Sequence, residues 1–261
     1  MSASIKAGLN NDMHLMTDGV TRAYIDSDGN VGIGTSSPST TDSGYNGGTL
    51  HMHNTGTGSS IRLTNATTGT GASDGMLISK WNNSNTYFTN FDNDAETIFT
   101  QSNSGGSHQT TMILDGNGYV TKPNQPCFVA GSGSSYSIST GGSLIDHDHI
   151  FINQGSHYNN TNKRFTAPAT GKYYFWHRLV VGNGASGVIE AKIAVNGSEA
   201  IRDYSYVHGT SQYDNSIACG VIVLNSGDYV EPQAYWNGSS STTVIGTTTI
   251  QITSWGGYLL I

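Results

Sequence analysis

The sequence is poor in charged side chains, which make up 11% of its 261 residues. A soluble enzyme of this length usually carries about a quarter charged residues. The formal net charge is −7, and no run of Lys or Arg is present that could neutralise a phosphate backbone. We therefore expect no nucleic-acid partner, and the composition favours an all-β extracellular or virion-surface protein over a soluble enzyme.

Cysteine is equally scarce, with only Cys127 and Cys219 in the chain. One long-range disulfide is possible, but two free buried thiols are favoured because the chain is not Cys-dense like small secreted scaffolds. No window approaches the ~20 apolar residues that span a membrane, and the N-terminus lacks the apolar core of a signal peptide. We expect no membrane insertion. We expect the protein to be assembled in a bacterial cytoplasm.

Glycine, by contrast, is abundant, with 34 residues, and residues 1–122 read as short strands separated by Gly-rich turns. Segments 23–33 and 112–120 each pair an apolar strand with an Asp/Gly/Asn turn and a return strand, which is a hairpin signal. These strands carry too few apolar residues for a core of their own. Without a heptad repeat, three copies sharing one interior would form a β-rich shaft rather than a coiled coil.

Pro123 and Pro126 predict a junction, because prolines cannot sustain a sheet ladder. The predicted domains are thus a shaft over 1–122 and a β-sandwich head over 123–261. Strands in the head are predicted over 127–130, 144–152, 173–181, 188–195, 200–207, 217–224, 229–236 and 250–261.

The longest aromatic and β-branched run lies at 173–181 and is apolar on both faces. One face is expected to fill the head's core and the other to meet a second sheet or a second chain. The residues assigned to core or trimer packing are Tyr173, Tyr174, Phe175, Trp176, Leu179, Ile222, Leu224, Trp255, Tyr258 and Leu260.

Segments 148–158, 165–168, 171–175, 196–197, 224–230 and 255–260 occur in an order that resembles the globular head of complement C1q. The resemblance covers roughly the last half of the chain. It implies a trimeric jelly roll like that of tumour necrosis factor, and hence a homotrimer.

Residues 5–38 resemble the shaft repeats of bacteriophage tail fibres, which often end in a C1q-like tip. This second resemblance implies a virion tail fibre. The first ~20 residues of the chain are then expected to attach to another phage tail or fibre protein.

Two motifs suggest chemistry but favour a structural interpretation. The run 71–75 matches the G-x-S-x-G nucleophile elbow, yet a strand rather than a helix is predicted after Ser73. The run 26–30 begins like a calcium loop, but glycine falls at its fourth position and Ser37 at its twelfth, so a hairpin turn is predicted.

The candidate metal ligands are the Asp and His residues of the run 146–149 and the pair His51 and His53. In an extended run the two Asp point one way and the two His the other, which leaves two ligands for any ion. Ordinary surface strands are favoured over metal sites. A site that gathers six imidazoles, from the His51 and His53 pairs of three copies on a trimer axis, stays an open alternative. We predict no metal and no cofactor.

Aromatic and hydrogen-bonding residues near flexible turns form the predicted receptor-binding set, namely Tyr204, Tyr206, His208, Tyr213, Trp236 and Asn237. Such mixtures suit the apolar faces and hydroxyls of a glycan, and they also suit a protein. Packing of these side chains inside the sandwich or between subunits is the alternative.

The combined expectation is a non-enzymatic homotrimeric tail fibre whose head binds a host-surface glycan or protein. Two alternatives remain: a head that is only a trimerisation and folding clamp, and a glycan depolymerase that uses paired carboxylates.

Overall fold

The structure is a computed structural model that describes residues 3–7, 12–38, 48–82, 85–103, 105–182, 186–209 and 213–260. Over these ranges the chain is all-β, as predicted, with no helix. It follows that none of these residues belongs to a helix long and apolar enough to cross a membrane. The chain divides into two compact units, Met1–Thr97 with Ile113–Val120, and Ile98–Met112 with Thr121–Ile261. The predicted domain boundary after residue 122 stays a prediction.

The first half of the chain forms three small sheets. The N-terminal sheet is five-stranded, in the order β1 (Ala3–Ala7), β2 (Met13–Thr17), β3 (Val20–Ile25), β4 (Val31–Ile33) and β5 (Leu50–Met52). A three-stranded sheet contains β6 (Gly58–Leu63), β7 (Met76–Trp81) and β8 (Thr86–Asn90). Another contains β9 (Thr97–Ser102), β10 (His108–Leu114) and β11 (Val120–Thr121).

The predicted hairpin at 23–33 is confirmed, because β3 and β4 pair antiparallel around Asp26. The Asp26 carboxylate accepts hydrogen bonds from the backbone N–H groups of Asp28 and Asn30, and Gly29 has a φ of 84°. Asp115 accepts in the same way from the N–H groups two and four residues later. Each carboxylate thus closes a turn whose fourth residue has a positive φ, a conformation that glycine adopts without strain.

The second half forms two packed sheets. The seven-stranded sheet contains β12 (Cys127–Gly131), β13 (Ser134–Ile138), β15 (His149–Gln154), β18 (Gly171–Gly182), β21 (Tyr213–Leu224), β23 (Thr242–Thr247) and β24 (Ser254–Leu259). The six-stranded sheet contains β14 (Gly141–Leu144), β16 (Tyr158–Asn159), β17 (Arg164–Thr166), β19 (Gly187–Val195), β20 (Ser198–Val207) and β22 (Tyr229–Trp236). β24 lies centrally, paired with β12 on one side and β18 on the other.

The core between these sheets is organised around Phe128. Its ring stacks on Tyr158 and Phe165 with centroids 5.0 Å apart in each case, and it meets Trp255 edge-on at 4.7 Å. Phe128, Phe165 and Trp255 are fully buried. Aromatic pairs in such geometries add to the free energy gained by burying their area, so this cluster anchors the sandwich.

The observed strands differ from the prediction at one segment in particular. The predicted strand 144–152 is two strands, β14 and β15, which belong to different sheets. Between them the backbone N–H of Ile145 donates to Pro232 and that of His147 donates to Ile145. The chain crosses from one sheet to the other there, over the polar run 146–148, which by pattern alone could equally belong to one extended strand.

Both cysteines are free, as favoured, but they are not both buried. Cys127 is half-buried and Cys219 is exposed, because both lie on the face of the seven-stranded sheet that points away from the core. Partial burial raises the pKa of the Cys127 thiol.

Candidate functional site

The face of the seven-stranded sheet that points away from the core is largely apolar between the exposed Lys172 and Arg178 of β18, and we call it the apolar outer face. Two rows of paired residues cross it: Ile152, Val129, Gly256, Trp176 and Cys219 form one, and Gln154, Cys127, Tyr258, Tyr174 and Val221 form the other. Side chains that are paired across antiparallel strands share a face. Val221 is 56% exposed and Val223 is 71% exposed. Water therefore meets a broad apolar surface, which is unusual for a solitary domain.

The ten residues assigned to core or trimer packing separate onto the two faces. Tyr173, Phe175, Leu179, Leu224 and Trp255 are fully buried in the core, and Ile222 packs against it. The others lie elsewhere: Tyr174, Trp176 and Tyr258 are on the apolar outer face, and Leu260 follows β24 with its N–H donating to the carbonyl of Lys172.

The outward face of the six-stranded sheet is polar and is held by ion pairs. The Lys192 ammonium lies 3.0 Å from carboxylate oxygens of both Glu190 and Glu199, and Arg202 Nε lies 3.3 Å from Glu199. The ammonium also lies 5.4 Å from the centre of the Tyr235 ring. A face that combines charges of both signs with aromatic rings can stay exposed to solvent, unlike the apolar outer face.

Four residues of the predicted receptor-binding set lie along this polar face or at its end. Tyr204 pairs with Glu190, and Tyr206 pairs with Val188. The Asn237 side-chain oxygen accepts from the N–H of Val188 at 2.6 Å, which places Asn237 on the other side of that strand from Tyr206. The His208 ring lies 5.3 Å from the Tyr206 ring. Tyr204, Tyr206 and His208 are exposed.

The structure does not bring the other two residues to this surface. Trp236 is fully buried, and its indole N–H donates to the carbonyl of Ser240 at 2.7 Å. Its assignment to a receptor surface is therefore corrected: the alternation of β22 turns this ring into the core. Tyr213 lies on the seven-stranded sheet, opposite Gly182.

Two histidines are enclosed in the head's core. His147 and His177 are fully buried, and their rings meet edge-on with centroids 5.3 Å apart. His177 Nδ1 lies 3.1 Å from the carbonyl oxygen of Lys192. Burial lowers the pKa of His177 to about 4. Burial, and then the neighbouring His177 and Lys163, hold the pKa of His147 well below its ordinary value.

One buried carboxylate has a dedicated cation. Glu231 is 7% exposed, and its Oε2 lies 2.9 Å from Arg164 Nε. The Arg164 guanidinium also stacks 3.9 Å above the Tyr229 ring. The hydrogen bond to Glu231 raises the pKa of Arg164. This pair joins β17 to β22 and is structural.

The first compact unit carries an apolar surface of its own. A row of Ile5, Leu15, Ala23, Ile33 and Met52 crosses all five strands of the N-terminal sheet, beside a row of Met13, Ile25, Val31 and Leu50. Ile5, Leu15 and Leu50 are exposed. Among the described residues before 127, no large apolar side chain is buried. The strands therefore do lack a core within one chain.

The motifs that suggested chemistry lie in structural settings. Ser73 lies in a loop in which the Asp74 carboxylate accepts a hydrogen bond from the Gly71 N–H. A strand, β7, follows this loop. Across the described ranges no three His, Cys, Asp or Glu side chains gather as metal ligands. In the run 146–149, Asp146 pairs with Lys163 and Asp148 accepts from Gly133. His51 and His53 meet edge-on at 6.2 Å.

Three features of the head were not predicted from the sequence: the contact of His177 with His147, the Arg164–Glu231 pair and the position of the Lys192 ammonium beside the Tyr235 ring. His177 alternates with Phe175 and Leu179, which is a signal of burial on the core face. The partners of Arg164 and Tyr235 come from strands distant in sequence, so no local pattern could identify them.

A protein-family model agrees with this fold. The C1q domain model matches residues 127–260. The globular domain of the zebrafish complement 1qA protein is 12% identical, with 52% of this chain and 98% of that chain covered and a TM-score of 0.40. The corresponding values are 10%, 52%, 94% and 0.41 for the Eiger TNF of S. frugiperda, and 13%, 51%, 99% and 0.40 for murine APRIL at pH 5.0.

A search of the curated proteins returned no match to this sequence. The C1q domain model, however, spans slightly more than half of the chain and includes both sheets of the sandwich. On this match and this jelly roll, the chain belongs to the C1q domain family.

Proposed function

We propose that the chain is a non-enzymatic, homotrimeric bacteriophage tail fibre protein whose C-terminal head binds a receptor on the host-cell surface. In this proposal the first half forms the shaft and attaches through its N-terminus to another tail or fibre protein. The assembled trimer forms part of the virion. C1q-like domains in general are known for trimerisation and binding, and they are generally non-enzymatic.

The apolar outer face is the observation that carries the proposal. Its rows contain Val129, Ile152, Trp176 and Val221 across neighbouring strands. Burying apolar surface stabilises by about 25 cal/mol per Å², so a face of this kind gains most by meeting an equally apolar one. A second and third copy of the same chain supply that surface, and a closed ring of three leaves no face uncovered.

The apolar rows of the N-terminal sheet support the same stoichiometry. Ile5, Leu15 and Leu50 project from a sheet that has no core within one chain. Three such sheets around one axis would share an interior, as the composition predicts. The likeness of residues 5–38 to phage shaft repeats supports a fibre over other trimeric proteins.

The receptor surface is assigned to the polar face of the six-stranded sheet. If the apolar outer face is covered by neighbouring copies, the opposite sheet stays accessible. Tyr204 is 71% exposed there, and Tyr206, His208 and Asn237 lie close by. Rings beside amide and imidazole groups suit a glycan, whose sugars present apolar faces and hydroxyls together.

Three equal sites per fibre would compensate for weak binding at each one. Linked sites raise the effective affinity by about 10²-fold or more when they engage simultaneously. The chain has only 11 Lys and Arg residues. Few cations on the head would limit non-specific attraction to anionic cell surfaces.

Two measurements test the proposal. Sedimentation equilibrium of the full chain should give the mass of three chains, and a stable monomer would refute the assembly. Fluorescently labelled trimer should then adsorb to host cells and compete with phage. The Tyr204→Ala/Tyr206→Ala variant should remain trimeric but adsorb at least tenfold less, whereas Tyr119→Ala, at a similarly exposed ring outside the head, should adsorb normally.

The alternative of a trimerisation and folding clamp is favoured by the same apolar outer face. Deleting residues 124–261 separates the two functions. A shaft that stays trimeric but no longer adsorbs supports recognition by the head, whereas collapse to monomers supports the clamp. New reducing ends released from host polysaccharide by the purified trimer would instead establish a depolymerase.

A further inference from the structure

The buried pair His147 and His177 belongs neither to the apolar outer face nor to the proposed receptor surface, and it places two titratable rings inside the head. Both rings are fully buried and meet at 5.3 Å. Neither ring nitrogen of His147 has a hydrogen-bond partner within the described ranges, and neither does Nε2 of His177. The Nδ1 atom of His177 alone has a partner, the carbonyl of Lys192 at 3.1 Å.

Apart from the Lys192 carbonyl at His177 Nδ1, the surrounding groups do not stabilise an added positive charge. From the 160–163 segment comes the Lys163 ammonium, which pairs with Asp146. Tyr158 donates its hydroxyl to the carbonyl of His147 rather than accepting from the ring. Trp255 of β24 lies beside His177 and 6.4 Å from His147.

Among the remaining neighbouring elements, the Lys192 carbonyl favours a charged His177, but burial outweighs that effect. From β21, Ala218 pairs with His177. From β19, Lys192 contributes its carbonyl, while its ammonium is held by Glu190 and Glu199. In the described part of the chain, no hydrogen bond or ion pair joins a carboxylate to either ring.

Both rings must therefore stay neutral in the folded head, whereas the same rings take up protons in the unfolded chain below about pH 6.5. The unfolded state then binds more protons than the folded state, so stability falls as pH falls. Each such histidine multiplies the unfolding equilibrium constant by up to about tenfold per pH unit, and two multiply it by up to about a hundredfold.

We propose that the His147–His177 pair is an acid-sensitive switch that opens the head below about pH 5 and so ends its binding. The trigger is proton uptake at two enclosed rings, and the responding element is the contact between the two sheets, because His177 lies on β18 and its backbone partner on β19. The shaft lies outside this mechanism.

The test compares urea unfolding of the full chain at pH 7.5 and pH 5.0, followed by aromatic fluorescence. For the wild type, the unfolding constant per chain should rise roughly a hundredfold or more at the lower pH. The His147→Leu/His177→Leu variant should show less than a tenth of this rise. His149→Gln, at a partly exposed ring, should behave as the wild type. An equal rise in the double variant and the wild type would overturn the switch.

A second measurement, made on the wild type, tests the proposal even if the double variant does not fold. Nitrogen chemical shifts of the two imidazoles in the wild-type head should report neutral rings throughout the folded range. Imidazolium signals from His147 or His177 in a folded head at pH 5.0 would refute the proposal. His157, whose pKa is also lowered by burial, is present in every variant and so cancels in the comparison.

Discussion

The indole ring of Trp176 lies directly on Gly256, its partner on the neighbouring strand, so closely that a Cβ atom there would overlap the ring. On the other side of the strand, Gly257 receives the ring of Phe175 in the same way. Two consecutive glycines thus let aromatic rings pack against β24 from both faces, with Trp176 lying flat on the apolar outer face.

Gly256→Ala should consequently destabilise the head. The added methyl group must displace an indole that is bounded by neighbouring strands, and overpacking of this kind costs about 1–3 kcal/mol. Thermal unfolding should show a fall of several degrees in Tm. Gly142→Ala is the matched control, since the nearest atom to its added Cβ lies 3.8 Å away. Equal losses in both variants would contradict the close fit.

Val221→Lys should dissociate the proposed trimer without unfolding the head. Val221 is 56% exposed in one chain, so the monomer tolerates lysine, but the proposed interface would enclose an unpaired charge at a cost of about 3 kcal/mol or more. Sedimentation equilibrium measures the mass. Ile250→Lys provides the control, because Ile250 is 60% exposed and lies outside the two apolar rows. A trimeric Val221→Lys variant would exclude this face from the interface.

Leu15→Asp should weaken the proposed shaft and leave the head intact. Leu15 belongs to the row that crosses the N-terminal sheet, and a carboxylate in a shared interior would cost about 2 kcal/mol or more per chain. Limited proteolysis should then remove the first half of the chain faster. Ser27→Asp adds the same charge in an exposed turn and should have no effect. Unchanged protection of the Leu15→Asp variant would argue against a shared interior.

Arg164→Met should destabilise the head by about 2–3 kcal/mol, because it leaves the buried Glu231 carboxylate without its cation. Adding Glu231→Gln should restore much of the loss, since the neutral amide no longer needs that partner. A double-mutant cycle by urea unfolding measures the coupling. Strict additivity of the two substitutions would show that the pair contributes nothing to stability.

Much of the fold could be predicted from local pattern. The alternation of Tyr173, Phe175 and Leu179 predicted one buried face, and all three are fully buried. The turn at Asp26 was predicted as a hairpin, and β3 and β4 pair around it. The break within 144–152 was not predicted, because the polar run 146–148 fits an extended strand as well as it fits a connection between two sheets.

The candidate site was predicted less well, for a related reason. Tyr204, Tyr206 and Trp236 have similar sequence surroundings, yet only Trp236 is enclosed. Which side of a strand faces the core depends on register with strands far away in the chain. The enclosed ring of His147 and its contact with His177 depend on the same long-range pairing.

The sequence by itself determined the all-β class and the Gly-closed turns, and it predicted partner chains, because composition and period-2 alternation fix how much apolar surface each strand carries. Only the tertiary structure decided which faces are left uncovered, which aromatic rings remain accessible and that two histidines meet in the core. Those outcomes depend on the pairing of residues such as His177 and Trp255, which lie on distant strands and come together only when both sheets are complete.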